Sequence, residues 1–315
     1  MIVTLTPNPS LDRTVELSML EIGEVNRVTG VRIDAGGKGV NVVRALHVNG
    51  HDAHAVLPGA GASAVEFGDL LNEVSVPHSF VDLPGAIRIN ITVAEQDGRT
   101  TKINEPGRAS SAADAEAMLT AFSELFSQAS WIVGCGSLPP GLPPDTYATV
   151  VRRARKEGVK VAIDASGAPF AAAVAAAPDL IKPNLEECEE LVGHALPTLG
   201  DVKKAAEDLV AGGIETVVVS LGRHGALAVD AKGATLASAV VDSPLSTVGA
   251  GDCLLAGLLA GLSTGMDRAE ALANGVRWGS AAVALPGSAV PAPADVQAVS
   301  VTIHDNPDWN ATTQE

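Results

Sequence analysis

Short apolar segments alternate with longer amphipathic segments over most of the chain. Four apolar runs have the length and residue types of buried strands, namely 131–133, 159–163, 180–181 and 216–219. Four longer stretches carry apolar residues at helical spacing with a polar face, namely 112–128, 145–157, 184–193 and 201–212. This alternation predicts an α/β fold with a mostly parallel sheet and helices on both faces. In such folds ligands bind at the carboxyl ends of the strands.

Two segments depart from the alternation. Residues 11–33 have no helical periodicity, and residues 86–105 have the pattern of a β-hairpin with a turn at Gln96-Asp97-Gly98. Because side chains alternate across a strand, Arg88 and Asn90 share one face of the first hairpin strand. This polar face suits a flap over an anionic ligand, although the same pattern also fits a strand face in solvent.

The composition restricts the possible partners. The chain has 315 residues, 21 basic against 37 acidic side chains and a formal net charge of −16. Such a surface repels nucleic acid and anionic membranes, and it would also repel a phosphorylated substrate. Any anion site therefore needs a local cluster of the few lysines and arginines. Aromatic residues make up only 3% of the chain, so the core must consist mainly of Ala, Val and Leu.

The cysteines and the apolar runs indicate the compartment. Cys135, Cys188 and Cys253 are far apart and lack metal-ligand spacing, which favours buried thiols in a reducing environment. The first residues do not resemble a signal peptide, and no apolar run approaches the length of a membrane span. We therefore expect a soluble cytoplasmic protein. The tail from about Asp305 is expected to be frayed.

The strongest candidate for chemistry is the stretch 246–252, which reads Ser-Thr-Val-Gly-Ala-Gly-Asp and precedes an apolar run. A small-residue turn that opens a helix directs free backbone N–H groups and the positive end of the helix dipole at one point, where an anion can bind. Asp252 at the rim of that point could accept a proton from an alcohol during phosphoryl transfer. Taken alone, the stretch also fits a glycine-rich turn capped by an aspartate.

A second glycine-rich segment, 34–41, lies between a strand-like run and an apolar helix. Its glycines allow a ligand to approach the backbone, and Lys38 and Asn41 can then point at that ligand. A third glycine-containing segment, 59–64, loosely fits the dinucleotide fingerprint, but the match is weak and it does not follow the first strand. The P-loop pattern G-x-x-x-x-G-K-[ST] does not occur, so this class of phosphate site is excluded.

Two further segments follow predicted strands. Residues 182–187 open a helix and place Asn184 and Glu187 one turn apart, where they could face a hydrated Mg²⁺. Residues 220–225 form a turn that could lie along a nucleotide triphosphate. A capped helix and an ordinary turn are the alternatives for these two segments.

These motifs together resemble the phosphofructokinase B branch of the ribokinase family. The resemblance runs from 4–12 to about residue 290 and includes 36–42, 102–107, 136–141, 182–184 and 246–252. It implies one ribokinase-like kinase domain over residues 1–315, with a small β-sheet lid formed by about 11–33 and 86–105. In the family this lid covers the sugar and often forms a dimer contact, so a homodimer through the lid is expected.

The resemblance also implies roles for individual residues. Asp252 would be the catalytic base, and the anion-binding turn would consist of Gly249, Ala250 and Gly251. The sugar phosphate would be held by Asp12, Gly37, Lys38, Asn41, Arg88, Asn90, Lys102 and Ser137. ATP would contact Lys182, Asn184, Ser220, Gly222, Arg223, Gly225, Gly251 and Asn274. Mg²⁺ would be held by Glu187 and Asn184 through water. Cys135 and Cys253 stand where the family commonly has Ser.

The activity implied by the resemblance is MgATP-dependent phosphorylation of the 6-hydroxyl of fructose 1-phosphate. The residues before the glycine turn, 246–247, and the lid segment 88–91 resemble the subgroup of the family that acts on this substrate. Fructose 6-phosphate or tagatose 6-phosphate, phosphorylated on the 1-hydroxyl, is the alternative substrate. A non-catalytic sugar-phosphate-binding protein is a third possibility. It is disfavoured because the glycines and Asp252 are present.

Overall fold

The computed structural model describes residues 1–313. In chain order its strands are β1 (Ile2–Leu5), β2 (Ser10–Leu17), β3 (Gly30–Gly36), β4 (Ala53–Pro58), β5 (His78–Val81), β6 (Arg88–Glu95), β7 (Thr100–Asn104), β8 (Trp131–Cys135), β9 (Lys160–Asp164), β10 (Leu180–Ile181), β11 (Thr216–Ser220), β12 (Ala226–Asp230), β13 (Gly233–Ala239) and β14 (Val301–His304). The helices are α1 (Lys38–Val48), α2 (Gly61–Glu73), α3 (Ala112–Ser123), α4 (Thr146–Glu157), α5 (Gly167–Ala175), α6 (Leu185–Val192), α7 (Leu199–Ala211), α8 (Ala250–Ser263), α9 (Arg268–Val283) and α10 (Pro293–Ala298).

The main sheet has the strand order β14-β13-β12-β11-β10-β9-β8-β1-β4-β5. Its strands from β11 to β5 are parallel, whereas β12, β13 and β14 add to the β11 edge in antiparallel fashion. The chain passes from β1 to β4 on one side and later returns to β8 on the other side of β1. The connections therefore diverge between β1 and β8, and this divergence leaves a crevice at the carboxyl ends of the two strands.

Helices cover both faces of the main sheet, and its apolar strands and some small helix residues allow this packing. The side chains of Val217, Val218 and Val219 in β11 are fully buried, as expected for a strand with helices on both faces. Helices α8 and α9 pack closely at Gly257, where the absence of a side chain leaves room for the Trp278 ring. A Cβ at Gly257 would lie only 2.7 Å from that ring. The predicted α/β fold class, a mostly parallel sheet with helices on both faces, is confirmed.

A second sheet contains four strands in the order β3-β2-β6-β7. Strand β2 pairs with β6 in parallel, and the other two pairings are antiparallel. The hairpin predicted over 86–105 is present as β6 and β7, with Gly98 in the left-handed conformation at its turn (φ 90°). Asp12 lies opposite Asn90, and Thr92 lies opposite Lys102, so one face of this sheet carries the polar residues.

Two sequence predictions need correction. The helix predicted over 112–128 ends at Ser123 and continues as a separate 3-10 turn, Phe126–Gln128, because Phe126 turns inward and packs edge-on against the Phe122 ring. The tail is fixed through Thr313, whose hydroxyl donates to the carbonyl of Leu196. Trp309 anchors this tail under the Lys203 ammonium, which is 5.4 Å from the ring centroid.

None of the helices within residues 1–313 has both the length and the apolar character of a membrane-crossing segment. The three cysteines are buried and carry free thiols.

Candidate active site

The carboxyl edge of the main sheet collects the polar residues that follow the strands. Asn8 follows β1 and Ser137 follows β8, and the Asn8 amide donates to the Ser137 hydroxyl across the crevice at 3.2 Å. Asp164 ends β9, and Lys182 directly follows β10. The sheet topology therefore brings together groups that are up to 174 positions apart in the chain.

The N-terminus of α8 brings together groups that favour an anion. Gly249 precedes the helix with φ 78°, a left-handed conformation that suits glycine. The N–H of Cys253 donates to the carbonyl of Gly249, so the N–H groups of Gly251 and Asp252 belong to the turn that a helix leaves without helical partners. A Cβ at Gly251 would lie 3.4 Å from the Lys182 ammonium. Helix dipole, N–H groups and ammonium together favour an anion here.

Asp252 lies in the first turn of α8 and is buried. Its Oδ2 accepts a hydrogen bond from the Asn41 amide at 2.8 Å. Burial and the nearby charge of Asp164 raise the pKa of Asp252 to about 6, although Lys38, Asn41 and Lys182 offset part of the rise. A carboxylate with a pKa close to neutrality is a better proton acceptor than an ordinary aspartate.

Asp164 is fully buried between two lysines. Lys38 lies 2.7 Å from one carboxylate oxygen, and Lys182 lies 3.1 Å from the other. Burial opposes the charge, but the two ammonium groups outweigh it and hold the pKa of Asp164 below its ordinary value. Sequence reasoning missed this residue. The signal was present, since a carboxylate directly follows the apolar run 159–163.

Asn184 and Glu187 form a capping box at the start of α6. The Asn184 side chain accepts from the Glu187 N–H at 2.7 Å, and the Glu187 side chain accepts from the Asn184 N–H at 2.9 Å. The capped-helix alternative is therefore correct in structural terms. The other Glu187 oxygen faces the Lys38 ammonium at 3.8 Å, which directs the carboxylate toward the same site.

Among residues 1–313 no cluster of three His, Cys, Asp or Glu side chains could enclose a metal ion. The arrangement of Asn184 and Glu187 fits Mg²⁺ bound through water and substrate phosphates, which is the mode this ion prefers over an all-protein cage.

The second sheet contributes a polar face with buried contacts. Asp12 accepts from the Ser10 hydroxyl at 2.7 Å and from the Asn90 amide at 3.0 Å. Burial raises the pKa of Asp12, although these two hydrogen bonds oppose the rise. A Cβ at Gly36 would overlap the Asp12 carboxylate, so a larger residue here would displace that carboxylate from its hydrogen bonds. The Arg88 guanidinium donates to the carbonyl of Glu105 at 2.9 Å.

Other predicted residues hold less direct positions. Lys102 is exposed on β7, on the same face as Asn90, and Gly37 precedes α1 with φ 127°. Ser220 forms a parallel bridge with Asn184, which places the following 3-10 turn, Gly222–His224, beside the start of α6. That turn carries Arg223 and ends at Gly225 (φ 86°).

Asn274 lies on α9 and makes no side-chain hydrogen bond to Asp252 or Asp164. Its amide donates to the carbonyl of Gly257 at 2.7 Å, about 8 Å along α8 from Asp252 at 1.5 Å per residue. Its predicted contact with ATP stays a prediction. Asn8, in contrast, was not predicted and lies within the site.

Comparison with known proteins identifies the family of this chain. The model of the pfkB family carbohydrate kinases matches residues 6–295. A 1-phosphofructokinase of Rhodobacter capsulatus is 38% identical over 96% of both chains. The structure of phosphofructokinase-2 from Escherichia coli in complex with fructose-6-phosphate is 32% identical over 94% of this chain and 96% of that chain, with a TM-score of 0.87.

A ribokinase of Arabidopsis thaliana shares the fold, with a TM-score of 0.74 over 94% of this chain and 97% of that chain, at 21% identity. The family model and the identity to curated relatives show that this chain is a kinase and that it belongs to the pfkB family of carbohydrate kinases.

Proposed function

We propose that this kinase transfers the γ-phosphoryl group of ATP to the 6-hydroxyl of fructose 1-phosphate, which gives fructose 1,6-bisphosphate and ADP. The observation that carries the proposal is the position of Asp252. This carboxylate lies in the anion-binding turn of α8 and is hydrogen-bonded to Asn41, a residue of the predicted sugar site. A proton acceptor at the junction of an anion site and a sugar site is what transfer to an alcohol requires.

In this mechanism Asp252 accepts the proton of the attacking hydroxyl as the bond to phosphorus forms. The N–H groups of Gly251 and Asp252 and the Lys182 ammonium stabilise the negative charge on the transferred oxygens. One such preorganised donor contributes about 3 kcal/mol to the stability of a transition state. Asn41 holds the Asp252 carboxylate in place through the hydrogen bond of 2.8 Å.

Mg²⁺ would be held by Glu187 and Asn184 through water, and when bound it neutralises charge on the phosphates of ATP. Ser220 pairs with Asn184 at the start of α6. The nucleotide would be contacted by Ser220 and by Gly222, Arg223 and Gly225 in the turn that follows it. Lys38 connects the end of β9 with the start of α6, because its ammonium lies 2.7 Å from the Asp164 carboxylate and 3.8 Å from the Glu187 carboxylate.

The phosphate that the sugar already carries would be bound by cations on the polar face of the second sheet. Arg88 and Lys102 lie on this face, and Ser137 is connected to it through Asn8, which also donates to the carbonyl of Pro106. A chain with a net charge of −16 needs such a local cluster to attract a sugar phosphate.

Fructose 6-phosphate is the second candidate substrate, because the phosphofructokinase-2 of Escherichia coli is similar in structure and was solved with that sugar. We expect kcat/KM to be highest for fructose 1-phosphate and lower for fructose 6-phosphate and tagatose 6-phosphate. A coupled assay of ADP release with each sugar, with the product identified by NMR, measures this. Higher kcat/KM for either 6-phosphate would reassign the substrate, and no sugar-dependent ADP release would favour a binding protein.

The pH dependence of kcat is a further prediction. Because Asp252 must be ionised to accept a proton, kcat should fall below about pH 6, following the raised pKa of this group. The phosphate of the sugar also titrates near pH 6, so a control is needed. Asp164→Asn removes the charge that helps raise the pKa of Asp252 and should move the midpoint to lower pH. The same midpoint in both enzymes would assign the titration to another group.

We further propose a homodimer formed through the second sheet, which would act as the lid over the sugar. Val31 and Ile103 lie on the face opposite Asp12, and they are 57% and 56% exposed. Sedimentation should give about twice the chain mass of 31.9 kDa, and Val31→Asp should shift the protein to the monomer. Val74→Asp, at an exposed apolar residue after α2, is the matched control. A monomeric wild type would contradict this assembly.

We place the reaction in the cytoplasm, because all three cysteines are buried and free. The acidic net charge also argues against nucleic acid and anionic membrane as partners.

A further inference from the structure

Arg44 lies on α1, one turn after Asn41, and sequence reasoning did not identify it. Its Nη1 donates to the Asn41 Oδ1 at 3.3 Å and to the carbonyl of Ser288 at 3.5 Å. Asn41 in turn donates through Nδ2 to the Asp252 carboxylate at 2.8 Å. The side chains therefore form a chain of hydrogen bonds from Arg44 through Asn41 to Asp252.

The chemistry of the three groups determines the direction of this chain. An amide side chain has an accepting oxygen and a donating nitrogen, and rotation by half a turn exchanges them. A guanidinium has only donors, so it can pair with Asn41 only through the amide oxygen. The amide nitrogen is then directed at Asp252, where it stabilises the ionised carboxylate.

Without Arg44 the opposite orientation becomes available. Asn41 could then present its oxygen to Asp252, and this orientation is favourable only when Asp252 carries a proton and donates it. The protonated carboxyl cannot accept the proton of an attacking alcohol. Arg44 disfavours this inactive arrangement although it does not touch Asp252 itself.

We propose that Arg44 is a positioning residue for the catalytic base, acting by fixing the Asn41 amide with its nitrogen toward Asp252. The inference rests on the proposed function, in which Asp252 accepts the proton. Arg44 also connects α1 to the segment after α9 through the carbonyl of Ser288. Ser288 lies close to Gly249, whose Cβ position would be 3.8 Å from the Ser288 Cα. Arg44 thus connects the base and the anion-binding turn.

Several charged and titratable groups surround Asp252 and Arg44. Asp252 is influenced by Asp164 from β9, by Lys38 from α1 and by Lys182 after β10, and the neighbouring thiols are Cys253 and Cys135. The charged and titratable groups that face the Arg44 guanidinium are Asp12, Arg32 and Asp34 of the second sheet and Cys253 of α8. The opposing charges of Arg32 and Asp34 form their own ion pair at 2.8 Å. Arg44 alone among these groups donates to Asn41.

The test is a double-mutant cycle with Arg44→Met and Asn41→Ala, measured with whichever ketose phosphate the wild type uses. Arg44→Met should lower kcat about tenfold, within the range for residues that share one hydrogen-bond network, and leave the KM for ATP unchanged. The acid limb of kcat should move up by about one pH unit, since the ionised base loses support. In the Asn41→Ala background the same change should have little further effect.

Arg44→Lys keeps a donor and should therefore recover part of the rate and of the pH profile. If Arg44 had a purely structural role, the lysine would not restore that profile. Arg152→Met, at an exposed ion pair with Asp145, is the matched control and should leave all values unchanged. Additive effects of the two changes, or an unmoved acid limb in a folded Arg44→Met enzyme, would overturn the inference. An inactive wild type would instead refute the proposed function.

Discussion

Asp252→Asn should lower kcat by about 10²–10⁴-fold, the usual contribution of a positioned general base. The substituted amide has nearly the same shape and can still accept the Asn41 hydrogen bond, but it cannot take a proton from the alcohol. The Kd for ATP should change little, because the N–H groups of the α8 turn and Lys182 remain. Steady-state kinetics with fructose 1-phosphate and a binding titration with ATP measure the two effects.

The same change should stabilise the fold above pH 6. Burial raises the pKa of Asp252 from 3.8 to about 6, so the folded protein holds this proton more tightly than the unfolded chain does. The contribution of this group to the free energy of unfolding therefore falls by about 2–3 kcal/mol as the pH rises from about 4 to 6. Asp252→Asn avoids that cost and should have the higher Tm at pH 8, with the difference vanishing near pH 4.

Asp267→Asn is the matched control, because Asp267 caps α9 and asparagine caps a helix equally well. It should leave kcat and Tm unchanged. An Asp252→Asn enzyme with turnover close to the wild type would remove Asp252 from the mechanism.

Asp164→Asn is expected to have the largest effect on stability. The change leaves Lys182, which is 3% exposed, and Lys38 beside a neutral amide in place of the carboxylate they share. Removing one partner of a buried ion pair costs about 3–5 kcal/mol, because an uncompensated charge stays out of water. Urea unfolding at pH 7.5 measures the loss, and phosphate in the buffer should recover part of it by binding the lysines.

Asp145→Asn is the control for this prediction. Asp145 pairs with Arg152 at 3.3 Å, and both side chains are more than half exposed. Exposed pairs of this kind contribute about 0–1 kcal/mol. If Asp164→Asn and Asp145→Asn lost equal stability, the Asp164 carboxylate would not stabilise the charges of Lys38 and Lys182.

The sequence predicted the elements with strong local patterns. The apolar runs at 131–133 and 216–219 became β8 and β11, and the hairpin over 86–105 became β6 and β7. The glycine turn before Asp252 was visible because small residues and an apolar helix are adjacent in the chain. Local spacing is enough for such features.

Other features depend on contacts between distant residues. Asp164 receives its two lysines from segments 126 and 18 positions away, so its role depends on the strand order of the main sheet. Arg44 looks like an ordinary polar residue of α1 until Asn41 and Ser288 are placed beside it. The tail was misjudged because its composition is polar, whereas the Trp309 ring and the hydrogen bond from Thr313 to the carbonyl of Leu196 anchor it to distant residues.

A crystal structure with fructose 1-phosphate and a non-hydrolysable ATP analogue tests the central claim most directly. The distance from the Asp252 carboxylate to the 6-hydroxyl should be about 2.6–3.2 Å, with the γ-phosphate analogue at the N–H groups of the α8 turn. A sugar whose free hydroxyl lies out of hydrogen-bonding reach of Asp252, in a closed and ordered complex, would contradict the account.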